Sequence, residues 1–257
     1  MSILDRFSMN GKTVLITGAS SGLGRHFALL LADAGACVVA CARREDKLTE
    51  LVEEITSNGG KATAVSMDVA DDDSITKAFD QAEAAFGIVD VLLNNAGIVS
   101  RFNSLDLTPD EWDRVLDTNL KAVWRVSQEA AKRMIAAEVK GNICNTASIL
   151  SFRVMSSNLT YAVSKAAVVQ MTRALALEWA RYGIRVNAIA PGYVETDLNR
   201  DMLQSERGQE LIKRIPMRRT GELDEIAAPL LLLVSDAGSF MTGETIAADG
   251  GHLVNSL

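Results

Sequence analysis

Thr13-Val14-Leu15-Ile16-Thr17-Gly18-Ala19-Ser20-Ser21-Gly22-Leu23-Gly24 is the stretch on which the fold turns. Its first five residues are apolar or β-branched, as a strand buried on both faces requires. Glycines follow with the spacing G-x-x-x-G-x-G, and residues 25–34 then place apolar side chains at helical intervals. Strand, glycine-rich turn and helix in that order make a cradle: without Cβ atoms in the way, backbone N–H groups and the helix N-terminus approach a pyrophosphate. The spacing is not the usual G-x-G-x-x-G, and a glycine-rich turn without a ligand is the alternative reading of the motif on its own.

Outward from this unit the same alternation continues. Strand-like runs occupy residues 13–17, 37–42, 62–67, 89–94, 141–146, 184–190 and 245–248, and helical segments occupy 22–34, 45–57, 72–86, 109–137, 160–181 and 222–235. Pro109 followed by Asp110 and Glu111 reads as a helix start, with proline at the first helical position and carboxylates at the positive end of the dipole. The pattern predicts an α/β Rossmann architecture: one doubly wound, seven-stranded parallel sheet with helices on both faces, in a single domain spanning 1–257. Residues 192–221 break the alternation and are expected to form a substrate loop.

Composition narrows the function. Lys plus Arg number 26 against 33 Asp plus Glu, a net charge of −7 without a basic block, which argues against nucleic acid or an anionic membrane as partner. No apolar run approaches the roughly 20 residues of a membrane helix, and residues 1–10 lack a secretory h-region, so a cytoplasmic location is expected. Cys37, Cys41 and Cys144 form no C-x-x-C pair and read as reduced core thiols. His26 and His252 lie far apart, and no metal site is expected.

Beyond the glycine turn, the chain carries Asp68-Val69 after the third strand, Asn94-Asn95-Ala96-Gly97 after the fourth, Asn119, Ser148, Tyr161 with Lys165, Pro191-Gly192 and Asp249-Gly250-Gly251. In this order the motifs resemble the short-chain dehydrogenase/reductase family over essentially the whole chain, from Gly18 to Gly251. The resemblance implies a nicotinamide dinucleotide cradled by Gly18, Ser20, Ser21, Gly22, Leu23 and Gly24. Asp68 and Val69 would contact the adenine, and Asn95, Ala96 and Gly97 would line the cleft. Pro191, Gly192, Val194 and Thr196 would meet the carboxamide end, with Tyr161 and Lys165 at the nicotinamide ribose. Each has a plainer reading as well: Asn94 and Asn95 as turn residues, Asp68 as a helix cap.

The second strand ends Cys41-Ala42-Arg43-Arg44. Ala42 stands where NAD-dependent relatives would carry a carboxylate, and a guanidinium next to it pairs with a 2′-phosphate, so NADP(H) is expected over NAD(H), with Arg43 the stronger candidate and Arg44 the second. Solvated surface arginines, offset by Glu45 and Asp46, are the alternative.

Tyr161 and Lys165 are four apart on a predicted helix and project from one face, so the ammonium is expected to depress the phenol pKa toward the operating pH. Ser148 offers a hydroxyl where charge develops on a substrate oxygen. With Asn119 these residues match the tetrad that the family uses as a proton relay. Singly, each also reads as a cap, a helix interruption, a solvated charge or a buried aromatic. The resemblance implies direct hydride transfer between cofactor and carbonyl carbon, with Tyr161 giving the proton and no metal required. The expected activity is an NADPH-dependent ketone (carbonyl) reductase, reversible as a secondary alcohol dehydrogenase.

Expected pocket walls lie in 100–103, 150–159 and 193–216, including Phe102, Phe152, Met155, Leu159, Tyr193, Met202 and Leu203 beside Arg101 and Arg153. Such an apolar pocket suits a ketone or hydrophobic alcohol better than a free sugar. Val139 and Tyr182 stand where acyl-carrier-protein reductases of the family carry arginines, which weakens the 3-oxoacyl-thioester reading. A dinucleotide-binding regulatory protein without catalysis is the alternative from another class. Relatives of this size imply a homotetramer packed through the long helices.

Overall fold

The computed structural model describes residues 2–196 and 199–254. Positions 197 and 198 of the expected 192–221 loop lie outside the described residues, as do 1 and 255–257 of the expected domain. Seven strands, β1 (Thr13–Thr17), β2 (Cys37–Ala42), β3 (Lys61–Ser66), β4 (Val91–Asn94), β5 (Asn142–Thr146), β6 (Arg185–Pro191) and β7 (Thr245–Ala248), form one sheet in the order β3-β2-β1-β4-β5-β6-β7. Every pairing is parallel. The chain reverses direction across the sheet between β1 and β4, and a doubly wound sheet opens its ligand crevice at such a switch point.

Alternation along each strand sends side chains to two cores. Val14 and Ile16 of β1 pack with α1 (Gly22–Asp33), α2 (Glu45–Ser57) and α9 (Leu223–Val234), where Phe27, Leu48 and Leu230 are fully buried. Leu15 faces the opposite layer of α3 (Asp72–Phe86), α5 (Ala122–Ala136) and α6 (Leu159–Trp179), with Phe79 and Met134 inside it. Each such side chain contributes roughly 1.5–3 kcal/mol on removal from water.

The segment expected as one helix over 109–137 is three pieces: α4 (Pro109–Leu116), a π-helical turn at Asp117–Lys121, and α5. The extra residue of a π turn rotates Asn119 inward, and such turns recur at functional sites. Within the described part of 192–221, two short helices, α7 (Arg200–Gln204) and α8 (Glu206–Ile212), interrupt the loop. Among the described residues no helix is long and apolar enough to cross a membrane, and no group of three or more His, Cys, Asp or Glu residues is placed to hold a metal.

Candidate active site

The turn after β1 is fixed by packing. Gly18 has φ +69°, and a Cβ there would lie 2.8 Å from the Ala96 Cα. Thr17 Oγ1 accepts the N–H groups of Asn95 and Ala96, both at 3.0 Å, locking the ends of β1 and β4 together. Asn95 Nδ2 donates to the Thr17 and Gly18 carbonyls, and Gly24 packs where a Cβ would run into the Gly18 carbonyl and the Asn95 amide. Asn94 is not a turn residue. It ends β4 buried, donating to Ser127 and Asn145, and Asn145 donates in turn to Thr172.

Above this turn the α1 N-terminus is open. Its N-cap, Ser21, makes no side-chain cap bond, and among the described residues no side chain accepts from the first-turn N–H groups. Among the described residues, a Cβ on Gly22 would meet only Thr196 Cγ2, at 3.9 Å. The space is a cleft of about 670 Å³ lined by Gly18, Ser20, Ser21, Gly22 and Leu23, then by Arg43, Arg44, Asp68 and Val69, then by Asn95, Ala96 and Gly97, with Thr196 closing one end. Asp71, not Asp68, caps α3, accepting from the Asp73 and Ser74 N–H groups. Asp68 Oδ1 accepts from Ala70 N–H and the residue stays at the cleft wall.

The two arginines differ. Arg44 is docked on the glycine turn, its Nη2 donating to Ser20 Oγ at 2.9 Å and Ser21 Oγ at 2.8 Å. Arg43 lines the cleft with no hydrogen-bond or ion-pair partner among the described residues. The sequence ranked Arg43 first. The structure keeps it free for a ligand and adds a loop-bracing contact for Arg44.

Tyr161 and Lys165 lie one turn apart on α6. Lys165 is buried, its Nζ 5.7 Å from the Tyr161 ring centroid and donating to the Thr146 carbonyl at 2.6 Å. Ser148 follows β5 at the N-cap of a short 3₁₀ turn, Ile149–Ser151. Its Oγ accepts the Leu150 N–H, its own N–H donates to Ser151 Oγ, and Ser151 Oγ donates to the Lys165 carbonyl at 2.8 Å. Ser151, with no sequence signal of its own, therefore ties the Ser148 turn to α6.

The Tyr161 phenol is half-buried and hydrogen-bonded to Ser148. Burial pushes it above its ordinary value, and the Ser148 bond opposes the rise. This corrects the expectation that Lys165 depresses the phenol. The ammonium sits over the ring face and is turned to a backbone carbonyl, and burial lowers its own pKa to about 8.

Asn119 is fully buried on the π turn. Its Oδ1 accepts the Ile98 N–H and its Nδ2 donates to the Ile98 carbonyl, both at 2.8 Å, and to Ser164 Oγ at 3.2 Å. The side-chain amide thus clamps the strand end that carries Gly97. A Cβ on Gly97 would lie 3.3 Å from Asn119 Oδ1 and 3.7 Å from Lys165 Nζ, so both side chains converge there.

A family model described as enoyl-(acyl carrier protein) reductase matches residues 18–252. The 2-dehydro-3-deoxy-D-gluconate 5-dehydrogenase of Escherichia coli is 40% identical over 252 residues, covering 98% of this chain and 99% of that one. The 3-oxoacyl-[acyl-carrier-protein] reductase of Thermotoga maritima is 37% identical over 96% of this chain and 99% of that one. A gluconate 5-dehydrogenase from Burkholderia cenocepacia, solved with NADP and tartrate, superposes with a TM-score of 0.94 at 37% identity, covering 99% of this chain and 100% of that one. The chain belongs to the short-chain dehydrogenase/reductase family. It is an NAD(P)-dependent oxidoreductase acting on CH–OH groups.

In this dehydrogenase/reductase a second cavity, about 680 Å³, opens beside the dinucleotide cleft, and Thr196 and Asn199 border both. Tyr161 and Ser148 form one wall, facing Gly192, Tyr193 and Met202, with Arg101, Met155 and Asn158 around them. Of the other expected wall residues, Phe102, Phe152, Arg153 and Leu159 line a separate outer groove of about 470 Å³, which Met155 also borders, and Leu203 is core. The cavity is therefore more polar than the sequence suggested, because Phe102 and Phe152 line the outer groove instead. Val194 is buried and bridged to Gly221, and Pro191 pairs with Ala248 in the sheet, so these two support the loop without lining the cavity. Asn158, Asn199, Arg114 and Thr118 line the two spaces without any sequence motif that marks them.

Proposed function

We propose that this chain is an NADP(H)-preferring reductase of a ketone, reversible as a secondary alcohol dehydrogenase, with Asn119, Ser148, Tyr161 and Lys165 as its catalytic set. The observation that carries the reading is that the hydrogen-bonded Tyr161 phenol and Ser148 hydroxyl line a cavity that shares Thr196 and Asn199 with the glycine-lined cleft, with the buried Lys165 ammonium 5.7 Å from the Tyr161 ring centroid. The residues fit a dinucleotide: uncapped N–H groups at the α1 N-terminus for the pyrophosphate, Asp68 and Val69 for the adenine, and unpaired Arg43 for a 2′-phosphate.

When bound, the nicotinamide dinucleotide supplies or takes up the hydride at the carbonyl carbon. Ser148 Oγ donates to the carbonyl oxygen and fixes its direction. Tyr161 gives that oxygen its proton in reduction and removes it in oxidation, so that charge on the oxygen is never left bare in the low-dielectric cavity. Lys165, protonated at neutral pH, lies over the Tyr161 ring and is anchored on the Thr146 carbonyl, from where it would hydrogen-bond the nicotinamide ribose of a bound cofactor. Asn119 holds Ile98 and with it Gly97 beside the lysine.

The Escherichia coli and Burkholderia relatives support a polyhydroxy acid as substrate, and the polar cavity agrees with them. The Thermotoga relative supports a 3-oxoacyl thioester instead, but Val139 and Tyr182 replace the arginines of that reading. Exposed Trp124 on α5 and Leu177 on α6 support packing of four copies through these helices. The deciding assay is NADPH oxidation across a panel of keto acids, neutral ketones and 3-oxoacyl thioesters. Tyr161→Phe should lose turnover by about 10²–10⁴-fold while binding NADPH as before. Unchanged turnover in that variant contradicts the mechanism, and a wild-type preference for NADH contradicts the cofactor assignment.

A further inference from the structure

We propose that Arg101 is the carboxylate-binding residue of the substrate cavity and makes the enzyme selective for anionic substrates. The inference rests on the reading of the cavity beside Tyr161 and Ser148 as the substrate site.

Arg101 is the one charged side chain among the described residues that line this cavity. That is unusual for a chain in which acidic residues outnumber basic ones by 33 to 26. Several other arginines are paired: Arg114 with Glu111, Arg125 with Asp72, Arg219 with Glu225. Arg101 has no hydrogen-bond or ion-pair partner among the described residues. Arg153 is the other guanidinium nearby, and it is committed, donating to the His252 carbonyl and lining the outer groove. A second charge reinforces the field at the cavity. Arg101 and Arg207 both oppose the upward shift that burial gives the Tyr193 hydroxyl, which faces into the same space.

An unpaired guanidinium at the rim of a concave site binds a carboxylate through two parallel N–H···O bonds, and an adjacent like charge deepens the attraction. With the reacting carbonyl at Tyr161 and Ser148 and the acid group at Arg101, the two ends of a hydroxy or keto acid are fixed, which selects the carbon to be reduced. A neutral ketone of equal length would leave Arg101 without its ligand.

The test compares the wild type with Arg101→Gln and Arg101→Lys, using 5-keto-D-gluconate as the acid, L-sorbose as a neutral six-carbon ketone and tartrate as an unreactive carboxylate. Arg101→Gln should raise KM for the acid about 10- to 100-fold, the range expected on losing a charge-assisted bond, with a much smaller change in kcat. KM for L-sorbose should stay level, and Arg101→Lys should recover part of the loss. Calorimetric titration of tartrate into the NADP+-loaded protein should show the same weakening without any turnover. Equal acid KM and equal tartrate affinity in wild type and Arg101→Gln overturn the proposal. A wild type that reduces L-sorbose, ignores the acid and binds no tartrate also overturns it, while leaving the ketone reductase reading intact. Tartrate binding that depends on Arg101, with no ketone of either charge reduced, supports the anion site and sinks the reductase reading instead.

Discussion

Lys165→Met should melt at a higher temperature than the wild type near neutral pH even though it loses activity. Lys165 is 4% exposed, and burial alone lowers its pKa from 10.5 to about 8. At about 1.4 kcal/mol per pKa unit, that fall costs the folded state about 3 kcal/mol at pH 7. Methionine keeps the length of the stem and carries no charge. Against the gain stands the bond from Nζ to the Thr146 carbonyl, about 2 kcal/mol for a charged donor. The net is about 1 kcal/mol in favour of the variant, or about 2–4 °C in Tm for a chain of this size. The sign depends on pH. Between about 8 and 10.5 the unfolded lysine still holds its proton while the folded one has lost it, so wild-type stability rises with pH through that window. The variant has no such group, so its advantage should be largest near pH 7 and vanish or reverse toward pH 10. Differential scanning fluorimetry of both proteins across this range, with turnover measured alongside, checks the pair of effects. A wild type that melts above Lys165→Met at pH 7, or a gap independent of pH, would refute the claim that the ammonium is held at the site against a desolvation cost.

Arg43→Ala should raise KM for NADPH about 10- to 100-fold and leave NADH kinetics unchanged, since it removes a free guanidinium from the cleft. An equal effect on both cofactors would assign Arg43 to the shared part of the dinucleotide. Gly24→Ala places a methyl against the Gly18 carbonyl and the Asn95 amide, so cofactor affinity measured by fluorescence titration should collapse in protein that still folds by circular dichroism. Asn119→Ala strands the Ile98 N–H and carbonyl and empties a fully buried position, a destabilisation of about 2 kcal/mol or more readable in thermal melts. Survival of the wild-type Tm would mean that water or a neighbouring group replaces the amide.

The fold could be read early because its signals are local. All five residues of β1 are buried, the burial that a continuous apolar strand announces, and the glycine spacing fixes where the chain must turn. The break in the 109–137 helix was not legible, because it depends on Asn119 finding Ile98 in the loop after β4, a contact with no trace in helical periodicity. Tyr161 and Lys165 lie one turn apart on α6 as their spacing requires, yet the phenol shift runs upward, since burial is a property of the assembled core and outweighs the Ser148 hydrogen bond. Arg44 likewise needed the position of Ser20 and Ser21 in space before its docking on the turn could be seen.

The substrate side is where sequence reasoning is weakest and where the structure changes the chemistry most. Residues 100–103 and 150–159 looked like one apolar wall, but the fold splits them between an outer groove that takes the aromatics and an inner cavity that keeps Arg101 and Asn158. The net charge of −7 then gains a spatial meaning. Arg43 and Arg101 are unpaired among the described residues, and they line two spaces that meet at Thr196 and Asn199, with Tyr161 and Ser148 on the wall of the inner one. An acidic protein that leaves a free cation in each of these spaces is built to draw in two anions, a 2′-phosphate and a carboxylate. Their reacting ends then meet where the proton donor stands.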